Sequence, residues 1–292
     1  MARTKKFRIV TVFGTAAAAF CLLLAGIAPA SAATSASLTA KNTHQRTVDY
    51  VNLGDSYSAG YGSGMPTETA IPGCLQGTGA SHVTKVDALR GINLTANVAC
   101  AGATTTDIAG MAAFVAPQLA QAELVTLTLG ANDLDIRGLV FSCSTLGTDA
   151  ACDQALALGK LAIPYVAASA HQTLSTVDQL TKGKIMVLGY PRLFTVSTWN
   201  QQLITAEHAA QLNKLGDMLN AAIRTATYGT HAKYVSVTRA FNHHGIGARN
   251  SWIYFNAANP LDPFNLHPTT TGYVEGYYPA VKQQLRSWHL VR

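Results

Sequence analysis

From Thr47 onward, short apolar runs alternate with longer stretches in which apolar residues recur near every third or fourth position. Residues 48–53, 94–99, 124–129, 184–188 and 233–237 have the length and texture of strands. Residues 81–89, 111–122, 155–180 and 205–227 have helical spacing, and 273–288 reads as a closing helix. Pro164 is expected to start or kink the third helical stretch, because proline lacks the N–H that a helix interior uses. The run 124–129 (LVTLTL) is apolar enough to be buried on both faces, as a central parallel strand must be. Strands separated by helices predict β-α-β crossovers, which force a parallel sheet with helices on both faces. The pattern therefore predicts an α/β fold, a single three-layer α/β/α domain over residues 47–292 around about five parallel strands. No repeat and no Pro/Ser-rich linker interrupts that span.

The first 46 residues follow other rules. Arg3, Lys5, Lys6 and Arg8 precede an uncharged apolar stretch from residue 9 to 27, and Ala30-Ser31-Ala32 supplies small residues for a cut between Ala32 and Ala33. This order is that of a secretory signal peptide over residues 1–32, and the small polar residues 33–46 read as a flexible leader. No later stretch is apolar enough to cross a bilayer, so a secreted protein without stable membrane insertion is expected.

This changes the charge picture. The whole chain carries +6. Removing the segment takes away four positive charges and no negative one, leaving +2, so an electrostatic case for nucleic-acid binding disappears. With 48% hydrophobic and only 12% charged residues, general disorder is excluded as well. Cys21 leaves with the signal, and Cys74, Cys100, Cys143 and Cys152 remain. Four cysteines allow three pairings. Spacing favours Cys74–Cys100 and Cys143–Cys152, and no C-x-x-C pair supports a metal instead.

In open α/β sheets, functional residues gather where the chain leaves the carboxyl ends of the strands. After the first predicted strand come Gly54-Asp55-Ser56-Tyr57 and glycines at 60, 62 and 64. After the second comes Ala101-Gly102-Ala103, and after the third Gly130-Ala131-Asn132-Asp133. A long connection past the fifth carries Asp262 to Pro268 with His267. A serine attacks a carbonyl carbon only when a base takes its proton, and histidine suits that task near neutral pH. Backbone N–H groups and an asparagine amide are the donors from which an oxyanion hole is built. Ser56 and Gly102 could supply the former and Asn132 the latter. Tyr57, Tyr61, Met65, Leu134, Phe194 and Trp199 stand near these blocks and could line an acyl pocket. The His243-His244 pair lacks an acidic cluster and reads as a loop. No G-x-S-x-G, P-loop or G-x-G-x-x-G after a strand is present, so neither the nucleophile elbow of α/β-hydrolases nor a nucleotide cofactor is expected.

GDSYSAGYGSG (54–64), NVACAGAT (97–104), GAND (130–133) and the late HP (267–268) resemble, in order, the four signature blocks of the SGNH hydrolase (GDSL esterase/lipase) superfamily. The resemblance runs from Val48 to the C-terminus. PQL at 117–119 and the cysteine placement resemble the secreted actinobacterial branch, although the third disulfide common there is missing. It implies a flavodoxin-like SGNH fold, Ser56 as nucleophile and oxyanion donor, Gly102 and Asn132 as further oxyanion donors, and His267 as base, with no cofactor or metal. One position departs from the pattern: the aspartate usual three residues before the histidine is Phe264, and Asp262 lies five before it. A backbone carbonyl of Phe264 or Asn265 is therefore expected to orient His267 in preference to Asp262. A lightly perturbed histidine would make activity rise with pH through roughly 6–7.5.

These readings predict a secreted, monomeric serine esterase or lipase acting on small-molecule, lipid or acylated polysaccharide esters. A polysaccharide deacetylase on the same machinery is the alternative within the class. A non-catalytic secreted binding protein is the alternative outside it, and such a protein has no need of all four residues.

Overall fold

The sheet places its strands side by side in the order 92–97, 48–52, 124–127, 184–188 and 232–235, every neighbouring pair parallel. A computed structural model describes residues 47–196 and 203–292 of the chain. The signal and leader expected over residues 1–46, and Trp199, lie outside the described residues. The strands are β1 (Val48–Asn52), β4 (Ile92–Asn97), β5 (Leu124–Leu127), β6 (Lys184–Leu188) and β7 (Ala232–Val235). Each lies within about two residues of its predicted position. All four β5 residues are buried, as the apolar run requires of a central strand. Burying each large aliphatic side chain here contributes about 1.5–3 kcal/mol relative to exposure.

The predicted helices appear with capping residues that explain their starts. In α1 (His82–Asp87) the Ser81 hydroxyl accepts from the Thr84 N–H, and in α2 (Thr105–Phe114) Thr104 does the same for Asp107. The stretch predicted as one helix over 111–122 is two. α2 ends at Phe114 and α3 (Ala116–Gln121) restarts with a proline in its first turn, where a missing N–H is harmless. α5 (Asp149–Leu180) begins earlier than predicted, behind Thr148, and passes through Pro164 instead of starting there. α6 (Ala206–Ala226) follows Thr205, and the closing stretch divides into a π-helical segment, Gly272–Tyr277, and α7 (Tyr278–Ser287). The hairpin of β2 (Pro66–Glu68) and β3 (Leu75–Gly77) and the short α4 (Ile136–Ser142) were not predicted.

One arrangement gives the site its wall. The Thr173 hydroxyl donates to the Thr105 carbonyl at 2.8 Å, so this part of α5 lies beside the first turn of α2, at the carboxyl edge of the sheet. The preceding half of α5 therefore continues beyond that edge. There it packs on α6 so closely that a Cβ at Gly159 would stand 2.8 Å from Leu215 Cδ2. The Cys143–Cys152 disulfide ties the end of α4 to the first turn of α5. Cys74–Cys100 ties the β2–β3 hairpin to the exit of β4.

Candidate active site

β1 has one neighbour, β4, on one side and β5 on the other, and the chain's connections leave it in opposite directions. That switch point is where an open α/β sheet leaves a crevice at its carboxyl edge. The exit from β1 keeps to the sheet for three residues, the Asp55 N–H donating to the Thr128 carbonyl at 3.2 Å. Gly54 has φ +118°, and a Cβ there would lie 2.6 Å from the Thr128 carbonyl oxygen. Only glycine meets both demands.

Asp55 turns inward and is buried. Its Oδ1 accepts the Thr128 hydroxyl at 2.6 Å and the Tyr57 N–H at 3.0 Å, and its Oδ2 accepts the Tyr190 hydroxyl. Burial pushes its carboxyl above the usual range, and these donors pull it part of the way back. With Asp55 anchored below, Ser56 is presented toward the crevice. The Tyr273 hydroxyl closes the turn from behind by donating to the Tyr61 carbonyl at 2.7 Å.

His267 comes from the far end of the sequence. Its loop is paired with the segment at Tyr254, which donates to the His267 carbonyl at 2.8 Å and accepts the Leu266 N–H at 2.9 Å. His267 Nε2 lies 2.8 Å from Ser56 Oγ, and Nδ1 lies 3.3 Å from the Phe264 carbonyl oxygen. The Asp262 carboxylate is engaged elsewhere. It accepts the Phe264 N–H at 3.0 Å, the Tyr254 hydroxyl at 3.2 Å and the Asn256 amide at 3.3 Å. Burial lowers the His267 pKa to about 4, with the Phe264 carbonyl raising it slightly and the nearby Arg137 cation lowering it. The lightly perturbed histidine expected from the sequence is thus a strongly perturbed one, because the ring is 8% exposed.

The two remaining blocks converge on the same crevice. Gly102 sits in left-handed backbone at φ +83°. Asn132 opens a short 3-10 turn after β5 and donates one amide hydrogen to the Ala103 carbonyl at 2.8 Å, which joins the two blocks. Its second amide hydrogen has no acceptor among the described residues. Among the described residues, no carbonyl accepts the backbone N–H of Ser56 or Gly102. Ser56, Gly102, Asn132 and His267 all line one cleft of about 220 Å³. The remaining lining is largely apolar, with Tyr57, Tyr61 and Leu266 on the side of His267 and Ile136, Leu212 and Leu219 on the wall made by α4 and α6, while Arg137, Arg192 and Asn213 add polar groups.

Of the residues suggested for an acyl pocket, Tyr57 and Tyr61 line this cleft. Met65 is 72% exposed, Leu134 is in the core, and Phe194 borders a separate cavity of about 260 Å³. The His244 ring is stacked on Trp252, with centroids 3.7 Å apart. Sequence reasoning missed Tyr190, the partner of Asp55, although it stands two residues past β6. The rule that found the other blocks would have found it. Leu212 and Leu219 carried no such signal, since apolar positions on one helix face look like any core face.

A model of the GDSL-like lipase/acylhydrolase family matches residues 53–274. A lipase of Streptomyces rimosus is 29% identical over 272 residues, spanning 91% of this chain and 96% of the relative. The crystal structure of an extracellular lipase of Streptomyces rimosus superimposes with TM-score 0.73 at 24% identity, covering 81% of this chain and 99% of that one. A phospholipase A1 of Streptomyces albidoflavus does so with TM-score 0.71 at 26% identity, again over 81% and 99%.

Proposed function

The chain belongs to the GDSL-like lipase/acylhydrolase family and is a carboxylic ester hydrolase, and from that premise we propose that it works through Ser56 and His267 as a secreted lipase or esterase. The observation that carries the assignment is the 2.8 Å contact between Ser56 Oγ and His267 Nε2 at one end of an apolar cleft. Neutral His267 takes the serine proton as Oγ attacks the ester carbonyl, and the tetrahedral oxyanion forms beside the N–H groups of Ser56 and Gly102 and the amide of Asn132. The imidazolium then returns its proton to the leaving alkoxide, which leaves an acyl-enzyme. Water activated by the same histidine releases the acid and restores Ser56. The Phe264 carbonyl accepts the Nδ1 hydrogen and so keeps Nε2 free as the acceptor.

The apolar lining favours a substrate whose acyl portion is hydrocarbon over an acetylated sugar, which would present hydroxyls to it. All four site residues come from one chain, so a monomer is sufficient. Among the described residues, no helix is long and apolar enough to cross a membrane. Export by cleavage between Ala32 and Ala33, followed by a leader and one hydrolase domain over residues 47–292, completes the proposal.

The test is hydrolysis of p-nitrophenyl acetate, a long-chain p-nitrophenyl ester, a phospholipid and acetylated xylan, with fluorophosphonate labelling of the serine. Ser56→Ala and His267→Ala should each lower turnover by several orders of magnitude, and the double variant should be little worse than either. Near-normal hydrolysis by Ser56→Ala would end the assignment. Preference for acetylated xylan over the long-chain ester would replace the lipase reading with the deacetylase one.

A further inference from the structure

Among the described residues no carboxylate stands behind His267: its Nδ1 lies 3.3 Å from the Phe264 carbonyl, long for an N–H···O bond, and the other support of the ring is the backbone of Asn265. Both supports are backbone of the same loop, so the aim of the imidazole depends on what holds that loop. The residue before it, Leu266, is buried at φ +72°, in the left-handed region that leucine rarely adopts. Such a conformation costs about 1–3 kcal/mol and persists only where surrounding groups enforce it. The Leu266 N–H is held by Tyr254, and its carbonyl accepts the Tyr57 hydroxyl at 2.5 Å, across 209 residues of sequence.

We propose that Tyr57 is a positioning residue for the base: its hydroxyl fixes Leu266 in left-handed backbone and thereby aims His267 at the neighbouring Ser56. The inference rests on Ser56 and His267 being the reacting pair. Tyr57 is suited to the task because it is rigid at both ends. Its N–H is bound to the buried Asp55 carboxylate, and its ring meets that of Tyr190 edge-on, with centroids 5.2 Å apart. The nucleophile turn and the base loop are thus set at a fixed spacing by one side chain.

The following residues press on the same loop. The Tyr61 ring stands edge-on to His267 at 5.1 Å, and a Cβ at Gly62 would lie 2.9 Å from that of His267. Burial raises the Tyr57 pKa, so the hydroxyl remains a donor throughout the working pH range.

Tyr57→Phe removes the hydroxyl and keeps the ring. It should lower kcat about 10- to 100-fold, the scale on which small misplacements act, with KM for p-nitrophenyl butyrate within about twofold. Fluorophosphonate labelling should slow by the same factor. The acid limb of kcat/KM should move up from near 4, since a loosened ring admits water. In a Leu266→Gly background, where positive φ needs no clamp, adding Tyr57→Phe should cost less than about threefold. A Tyr57→Phe enzyme with kcat within about threefold and an unmoved acid limb would overturn the proposal, as would an equal loss in both backgrounds. Ser56→Ala assayed alongside separates the two readings. If it is inert while Tyr57→Phe behaves as wild type, only the positioning role falls.

Discussion

At the scale of single residues, the decisive quantity is how dry the proposed base, His267, is. With a pKa near 4, His267 is already neutral, and so able to accept a proton, at every pH above that value. Its rate profile should therefore lose activity on the acid side near pH 4, well below the 6–7.5 window of a solvated imidazole. A kcat/KM profile for p-nitrophenyl acetate locates the limb, and one centred above 6 would contradict the burial argument. Asn132 makes a second residue-level prediction. If its spare amide hydrogen meets the oxyanion, Asn132→Ala should lower kcat by about 10²–10³ at nearly unchanged KM. A large rise in KM at constant kcat would make it a ground-state binding group instead. Ser56, Gly102, Asn132 and His267 were legible in the sequence because each follows a strand or a recognisable block. The depth of the His267 pocket was not, since burial comes from Tyr57, Tyr61 and Leu266 folding over it.

Among the elements, those with a long apolar pattern were the readable ones. β6 and α6 were foreseen almost to the residue, whereas β2 and β3, three residues each, are too short to show any period. α4 has seven residues with Gly138 inside it, and nothing in its pattern separates it from a loop. Yet Ile136 and Arg137 of α4 line the cleft, and the Cys143–Cys152 bridge anchors that helix to α5. Replacing both cysteines by serine should cost less than about 3 kcal/mol, because the closed loop is short. The effect on function should be selective. A loosened α4 weakens hydrolysis of a long-chain p-nitrophenyl ester while sparing the acetate, measured as the ratio of kcat/KM values. An unchanged ratio would show that α4 keeps its place without the bridge.

For the molecule as a whole, two buried histidines among the described residues contribute to how stability falls in acid. His82 is fully buried, stacked with Tyr273 and Tyr277, and among the described residues neither of its ring nitrogens has a hydrogen-bond partner. Burial lowers its pKa to about 3. Both histidines bind protons more readily when unfolded, at about 6.5, than when folded. The stability they contribute is complete above pH 6.5. It is lost as pH falls, toward about 4 for His267 and about 3 for His82, at about 1.4 kcal/mol per unit for each. His82→Phe keeps a flat ring and removes one of the two titrations, so its melting temperature should exceed that of wild type by more at pH 5 than at pH 8. Parallel curves across that range would remove His82 from the account.

On the roles proposed for Ser56 and His267, the distance between them along the chain has a consequence for timing. Ser56 precedes His267 by 211 positions, so a polypeptide still being made carries the serine long before the group that activates it. During that interval the serine is an ordinary alcohol with no base beside it. On the proposed mechanism hydrolysis begins only when the late loop meets the early turn, so completion of folding is itself the act that arms the enzyme.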